Sequence, residues 1–112
     1  MSVNHNVVFD SSGHTGNTYY VRFVRRSDGY IWDAVAEEWA ATPSWEDSAI
    51  ALTETSDFGQ FNVSAPDAVG EYDYYQVVYK QDSSIPQNTD EIELQTEYYN
   101  AHNYVKVFGT LS

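Results

Sequence analysis

The chain has 112 residues, of which 17 are acidic and 5 basic, and its net charge at pH 7 is −12. Such a charge repels phosphate backbones and anionic lipid surfaces, so neither nucleic acid nor a membrane is expected as a partner. The chain has no cysteine, which excludes disulfides, thiolate metal ligands and a cysteine nucleophile.

The length is typical of one domain, and the even composition predicts a single domain over residues 1–112. The first residues lack the basic start and apolar run of a signal peptide, and no segment has the ~20 apolar residues of a membrane span. The chain is therefore expected to be made in the cytoplasm.

The first half of the chain predicts short strands joined by turns. A short apolar run at 5–9 precedes a loop over 10–17, and residues 18–26 then alternate with period two. Tyr19, Val21 and Phe23 share one face of this strand and Tyr20, Arg22 and Val24 share the other. Arg22, Arg25 and Arg26 are expected to pair with carboxylates on neighbouring strands.

The segment 33–42 allows two interpretations. Asp33 could be the N-cap of a helix with Glu37 in its first turn. Alternatively, residues 30–33 pair with 38–41 as a hairpin that follows the Ser27-Asp28-Gly29 turn. The surrounding β pattern favours the hairpin. Further strands are predicted at 49–53, with Ile50 and Leu52 inward, and at 60–65, with Phe61 and Val63 inward.

The longest strand-favouring stretch is Gly70–Gln81, which aromatic and β-branched residues dominate. Tyr75, Val77 and Tyr79 share one face with Asp73, whereas Tyr72, Tyr74 and Val78 share the other. Apolar side chains on both faces predict a strand inside a sheet, and we expect the core to pack on the Tyr75–Val77–Tyr79 side.

The last third of the chain has the cleanest alternation. Ile92, Leu94, Thr96 and Tyr98 are expected to point to the core, and Glu91, Glu93, Gln95 and Glu97 to water, because carboxylates are not buried unpaired. A final strand is predicted at 104–108. The whole pattern predicts an all-β fold, a single antiparallel β-sandwich of about seven or eight strands. A small closed barrel is the alternative.

No motif for catalysis is present. The chain lacks a Gly-x-Ser-x-Gly elbow and a His-Glu-x-x-His pair, and His5, His14 and His102 share no motif. Among 17 acids, pairs such as Glu37 and Glu38 or Glu46 and Asp47 are expected by chance, so they do not indicate a glycosidase. The protein is therefore predicted not to be an enzyme.

No cofactor is required by the sequence, but two acidic clusters have the oxygen ligands that Ca²⁺ prefers. One consists of Asp67, Glu71 and Asp73, and the other of Asp28 and Asp33. Neither has EF-hand spacing.

Aromatic side chains are the more informative excess, with 10 Tyr, 5 Phe and 3 Trp. Trp32, Trp39 and Trp45 lie close together in sequence. They either cover one end of the core or, with Tyr30, form a platform that stacks on sugar rings or on a protein partner.

Several segments in sequence resemble small β-sandwich modules of bacteriophage tail and receptor-binding proteins and of bacterial surface proteins. The segments are Val21-Arg22-Phe23, Asp28–Asp33, Trp45–Thr53, Gly59-Gln60-Phe61, Gly70-Glu71-Tyr72 and Tyr75–Gln81. The pattern is also similar to carboxypeptidase-regulatory and transthyretin-like sandwiches. The resemblance implies an immunoglobulin-like or transthyretin-like fold. It also implies a structural, assembly or adhesion module of a virion or a surface protein, which works through protein partners or self-association, so a virion joins the cytoplasm as an expected location. A carbohydrate-binding module that uses exposed Trp and Tyr side chains, with Ca²⁺ as an optional ligand, is the alternative.

Overall fold

The computed structural model describes residues 6–11, 16–54, 59–66, 68–69, 72–99 and 104–107. These residues form two antiparallel sheets, so the predicted all-β class is confirmed. The elements are β1 (Asn6–Asp10), β2 (Thr18–Arg25), β3 (Ile31–Asp33), β4 (Glu38–Ala40), α1 (Trp45–Ser48), β5 (Ile50–Ala51), β6 (Thr53–Glu54), β7 (Gln60–Ser64), β8 (Tyr74–Gln81), β9 (Glu91–Tyr99) and β10 (Tyr104–Val107).

Strand β8 lies inside the larger sheet, as its two apolar faces predict. The strand order of that sheet is β10-β9-β8-β2-β3-β4, with β5 also paired to β2, and the smaller sheet has the order β1-β7-β6. Strand β8 pairs with β2 along its whole length, from Thr18 opposite Gln81 to Arg25 opposite Tyr74. The tight pairing of these two long strands makes them the centre of the larger sheet.

The predicted strand at 49–53 is divided between the two sheets at Leu52. Strand β5 pairs with β2 of the larger sheet, and β6 pairs with β7 of the smaller one. Leu52 itself is buried, and its backbone N–H donates to the Tyr19 carbonyl. The chain therefore crosses from one sheet to the other at a buried leucine, and the one predicted strand becomes two short ones.

Side chains from both sheets form one main core. Tyr19 of β2 contacts Phe9 of β1 and Phe61 of β7, with ring centroids 4.8 and 4.7 Å apart. Val21 and Phe23, on the same face of β2 as Tyr19, are fully buried in this core. The three residues predicted to share one face of β2 do so, and this face packs in the core between the two sheets, which form a β-sandwich.

The prediction that the core packs on the Tyr75–Val77–Tyr79 side of β8 is wrong. Tyr74 and Val78, on the opposite face, belong to the main core. Val78 lies directly opposite Val21, and paired residues of antiparallel strands point to the same side of a sheet. Val77 and Tyr79 instead form a smaller outer cluster with Tyr20, which Trp45 and Ala49 cover. Both faces of β8 are apolar, so composition alone does not distinguish them.

A β-bulge overturns part of the alternation predicted for β9. Val78 lies opposite Leu94, but the next residue, Tyr79, lies opposite Ile92. The extra residue, Glu93, reverses the sides to which the preceding residues point, which is the usual effect of a bulge. Ile92 is consequently 56% exposed rather than in the core. Leu94 and Tyr98 pack in or against the core as predicted, and Thr96 is buried.

Glu97 also departs from its predicted exposure. It is only 7% exposed, and its carboxylate lies 3.8 Å from Nε of Arg26. A nearby guanidinium offsets the cost of burying this charge. Arg26 thus has a carboxylate neighbour, but Glu97 lies on β9, which β8 separates from β2.

The segment 33–42 forms the predicted hairpin rather than a helix. Trp32 of β3 lies opposite Trp39 of β4. Asp33 caps the connecting turn, because its Oδ1 accepts from the backbone N–H groups of Val35 and Ala36, both at 2.9 Å. Glu37 completes the turn with a φ of 57°. Short α1 was not predicted, although Ser44 and Asp47 form the Ser-x-x-acid pattern of a helix start, with Ser44 Oγ accepting from Asp47 N.

Candidate functional site

Three aromatic rings surround Arg25 at one end of the larger sheet. The Arg25 guanidinium carbon lies 5.5 Å from the ring centroid of Tyr30, 5.1 Å from that of Trp39 and 5.0 Å from that of Tyr72. These distances are within the range of cation–π attraction. We refer to Arg25, Tyr30, Trp39 and Tyr72 as the aromatic–arginine patch.

Asp28 fixes the guanidinium at the centre of the patch. Its Oδ1 accepts from Arg25 Nε at 3.1 Å and its Oδ2 from Nη2 at 2.6 Å, which is the bidentate geometry of a strong arginine–carboxylate pair. Asp28 Oδ1 also accepts from Tyr30 N at 3.0 Å. The hydrogen bond from Arg25 holds the pKa of Asp28 below its ordinary value, and the same bond raises the pKa of Arg25. Gly29, with a φ of 77°, allows the turn that brings these groups together.

Two rings of the patch reach solvent and one anchors it to the core. Tyr30 is 39% and Tyr72 is 42% exposed. Trp39 is partly buried and packs edge-on against both Trp32 and Tyr72, with ring centroids 5.5 and 5.8 Å apart. Trp32 is 4% exposed and belongs to the main core. The exposed tyrosines therefore rest on a rigid support.

A shallow cavity of about 270 Å³ adjoins the patch. Among the described residues, its lining consists of Arg25, Arg26, Ser27, Tyr72 and Asp73. Arg26 Nη1 lies 4.0 Å from Asp73 Oδ2. The cavity thus offers hydrogen-bond donors, a hydroxyl group and a carboxylate beside an exposed aromatic ring.

The structure brings together two of the four residues that the sequence singles out as a binding platform. Tyr30 and Trp39 lie in the patch, and Trp32 lies beneath Trp39 in the core. Trp45 lies on the opposite face of the larger sheet, where its Nε1 donates to Tyr20 Oη at 2.8 Å. The three tryptophans therefore do not share one surface.

Arg22 stacks on Trp45 rather than pairing with a carboxylate. Its guanidinium carbon lies 3.5 Å from the Trp45 ring centroid, and its Nε donates to Ser48 Oγ at 2.9 Å. Within the described part of the chain, no acidic side chain is within ion-pair distance of Arg22. Arg26 therefore has the expected carboxylate neighbours, in Asp73 before β8 and Glu97 of β9, whereas Arg25 pairs with Asp28 in its own turn and Arg22 has an aromatic partner instead.

In the first predicted calcium cluster, Asp73 has a described position, in the cavity beside Arg26, whereas Asp67 and Glu71 lie outside the described residues. In the second predicted cluster, Asp28 binds Arg25 and Asp33 caps the hairpin turn. No group of three or more His, Asp or Glu side chains arranged for a metal ion occurs among the residues described. His5, His14 and His102 also lie outside those residues.

Sequence reasoning missed Arg25 and Tyr72 as members of the site. A local signal existed for Arg25: Asp28, three positions later and directly before Gly29, is placed to pair with it across the turn. Tyr72 gave no such signal, because it reaches the patch only through the pairing of β8 with β2. Contacts between residues that are distant in sequence depend on strand register, which residue spacing alone does not supply.

No protein-family model matches the chain, and no curated protein or solved structure is significantly similar to it. Among the residues described, no helix is long and apolar enough to cross a membrane.

Proposed function

We propose that the protein is a non-enzymatic assembly or adhesion module that acts through protein–protein contacts, with the aromatic–arginine patch as its contact surface. The observation that carries the proposal is the exposure of Tyr30 and Tyr72 around an arginine fixed by Asp28. The few residues that contribute most of the binding free energy at protein interfaces are enriched in tryptophan, tyrosine and arginine.

The patch is ordered before it meets a partner, which favours binding. Arg25 is held by two hydrogen bonds and three aromatic rings, and Trp39 is anchored on buried Trp32. Side chains that are already immobile lose little conformational entropy on association. The cost of ordering the interface is therefore low.

The proposed setting is a virion or a cell surface, and the fold is proposed to be immunoglobulin-like or transthyretin-like. Both parts are supported by the sequence resemblance. The acidic surface supports the idea that contacts are selective, because a charge of −12 opposes indiscriminate association. Edge strand β4 is short and carries exposed Glu38, and both features limit unwanted strand pairing.

Light scattering coupled to size-exclusion chromatography tests self-association over a concentration series. If copies associate through the patch, the Tyr30→Ser/Tyr72→Ser variant should raise the dissociation constant at least tenfold. The control variant Val35→Ser/Ile85→Ser removes exposed apolar side chains outside the patch and should leave assembly unchanged. A protein that stays monomeric at high concentration and binds no virion component would contradict the proposal.

A second candidate is a carbohydrate-binding module, and the cavity beside exposed Tyr72 favours it. Aromatic faces bordered by hydrogen-bonding side chains suit sugars, which have both C–H faces and hydroxyl groups. The optional Ca²⁺ of this candidate would depend on Asp73 together with Asp67 and Glu71. A glycan array read with tryptophan fluorescence, with and without Ca²⁺, tests it; no binding and no spectral change would remove the candidate.

A further inference from the structure

We propose that the cavity lined by Arg26, Ser27, Tyr72 and Asp73 is a subsite for one residue of a neutral saccharide. In this subsite a sugar hydroxyl bridges Arg26 and Asp73, and the sugar ring packs on Tyr72. The inference rests on the carbohydrate-binding candidate and goes beyond it by specifying the ligand class and the residues. It is independent of the proposed protein contacts.

The separation of Arg26 and Asp73 fits a bridging hydroxyl. The distance of 4.0 Å from Nη1 to Oδ2 is too long for a direct hydrogen bond. A hydroxyl oxygen that accepts from Arg26 and donates to Asp73 makes two bonds of about 2.8 Å, which together span about 4 Å when they meet near a right angle. A hydroxyl is both donor and acceptor, so it bonds to the guanidinium and to the carboxylate at once. Sugars present several such groups.

The Tyr72 ring is positioned to hold the apolar side of the sugar. It is 42% exposed, and it is supported by Trp39 in an edge-to-face contact with an interplanar angle of 83°. Arg25 lies over the ring as well, 5.0 Å from its centroid, and is itself fixed by Asp28. The ring is therefore preorganised for stacking, which reduces the entropic cost of binding.

Charge at the site favours a neutral sugar over an acidic one. The two guanidiniums at the cavity already have Asp28, Asp73 and Glu97 as neighbours within 4.0 Å. The three carboxylates outnumber the two cations, and the whole chain carries −12. A uronic acid would add a carboxylate to this field and be repelled, whereas a neutral sugar would not.

The test is titration of the full chain with a panel of neutral hexasaccharides of glucose, galactose and mannose and with their uronic-acid counterparts. Binding is measured by tryptophan fluorescence and calorimetry. At least one neutral oligosaccharide should bind, and its uronic-acid counterpart should bind at least fivefold more weakly at 20 mM salt. This ratio should fall towards one at 0.5 M salt, because salt screens the repulsion.

Matched variants separate the subsite from the remainder of the patch. Tyr72→Ala should weaken saccharide binding at least tenfold, and Asp73→Asn about tenfold, since a charged acceptor forms the stronger hydrogen bond. Tyr30→Ala, in the patch but not among the cavity residues, should change it less than twofold, as should the exposed-loop control Asp82→Asn. Circular dichroism melting verifies that each variant is folded.

The outcomes distinguish this inference from the proposed protein contacts. Neutral sugar binding that needs Tyr72 and Asp73 but not Tyr30 supports the subsite, whether or not copies of the chain associate. The inference is overturned if no neutral oligosaccharide binds, if uronic acids bind equally well at low salt, or if folded Asp73→Asn binds like the wild type. Loss of self-association in Tyr30→Ser/Tyr72→Ser concerns only the protein contacts.

Discussion

The phenol of Tyr20 donates a 2.6 Å hydrogen bond to the carboxylate of Asp90, 70 positions later in the chain. Tyr20 is 1% and Asp90 7% exposed. The same phenol oxygen accepts from Trp45 Nε1 at 2.8 Å, so three segments meet at one hydroxyl. Asp90 also accepts from the backbone N–H groups of Asp82 and Gln87 and thereby closes the loop between β8 and β9.

Replacing Tyr20 by Phe should lower the free energy of unfolding by about 1–3 kcal/mol. The substitution keeps the ring stacked on Tyr79, with centroids 5.2 Å apart, but removes a donor to Asp90 and the acceptor for Trp45. A buried group left without its hydrogen bond costs about this amount. Urea unfolding followed by tryptophan fluorescence measures the change. Tyr30→Phe, at an exposed site, is the control and should alter stability by less than about 0.5 kcal/mol.

A loss in Tyr20→Phe no larger than in the control would show that the Tyr20–Asp90 bond does not stabilise the fold.

Asp90 should make the free energy of unfolding fall more steeply as the pH is lowered into the acid range. Burial opposes its ionisation, but the hydrogen bond from Tyr20 and those from the backbone N–H groups of Gln87 and Asp82 outweigh burial and lower its pKa. A carboxyl group with a lowered pKa in the folded state contributes stability above its unfolded pKa, near 3.8, and loses it as the pH falls through the folded value. Asp90→Asn lacks this contribution. The stability difference between wild type and variant should therefore be largest above about pH 4 and shrink below it.

The measurement is urea unfolding of both proteins from pH 2.5 to 7. Subtraction of the two curves removes the titration of the other carboxyl groups, which the two proteins share. A difference that stays constant over this range would contradict the assigned role of the Asp90 charge.

Period-two patterning predicted the strands whose faces differ in polarity, and failed where both faces are alike. In β2 the alternation placed Tyr19, Val21 and Phe23 on one face, and the structure buries that face in the main core. Strand β8 has two apolar faces, so its core face was assigned wrongly. In β9 the alternation itself was misleading, because the bulge at Glu93 is set by pairing with β8 and not by local residue preference.

The candidate site was half accessible to sequence reasoning for a similar reason. Tyr30 directly precedes β3 and Trp39 lies in β4, the partner of β3 in one hairpin, so local pairing brings both residues near Arg25. Trp45 is close to them in sequence but follows the turn at 41–44 into α1, which packs on the other face of the sheet. Closeness in sequence therefore predicted that the tryptophans share one surface, whereas in the structure they lie on different faces of the sheet.

The bulge residue Glu93 should destabilise the protein at neutral pH. Its carboxylate is partly buried in a cavity of about 420 Å³ that Glu91, Lys80 and Asp10 also line. Desolvation raises the pKa of Glu93, and so do the hydrogen bond and repulsion from Glu91, while Lys80 opposes the increase. A raised pKa means that protonated Glu93 is favoured more in the folded protein than in the unfolded chain. Ionised Glu93 therefore lowers the free energy of unfolding when the pH is above both pKa values, and this penalty disappears as the pH falls to the unfolded-state pKa of 4.5.

Glu93→Gln should consequently be more stable than the wild type at pH 7, and the gain should vanish below about pH 4. Thermal unfolding at a series of pH values measures both parts. Glu38→Gln, which removes an exposed charge from the hairpin, is the control for the general benefit of a lower net charge. An equal gain in both variants would mean that only net charge matters.

The hairpin between β3 and β4 should tolerate, and benefit from, glycine at position 37. Glu37 has a φ of 57°, a left-handed conformation that is unfavourable for a residue with a Cβ atom. The turn imposes this conformation, because Asp33 accepts from the backbone of Val35 and Ala36 and the Glu37 N–H donates to the Asp33 carbonyl at 2.8 Å. Glu37→Gly relieves the strain and should raise the free energy of unfolding by about 0.5–1 kcal/mol.

Glu37→Gln removes the same charge but keeps the Cβ atom, so the difference between these two variants isolates the backbone effect. Ala36→Gly, one position earlier at a residue without a positive φ, should instead lower stability, since glycine there only adds freedom to the unfolded chain. Urea unfolding of the three variants measures both the expected gain in stability of Glu37→Gly and the expected loss in Ala36→Gly. If Glu37→Gly is no more stable than Glu37→Gln, the left-handed conformation of Glu37 does not strain the folded protein.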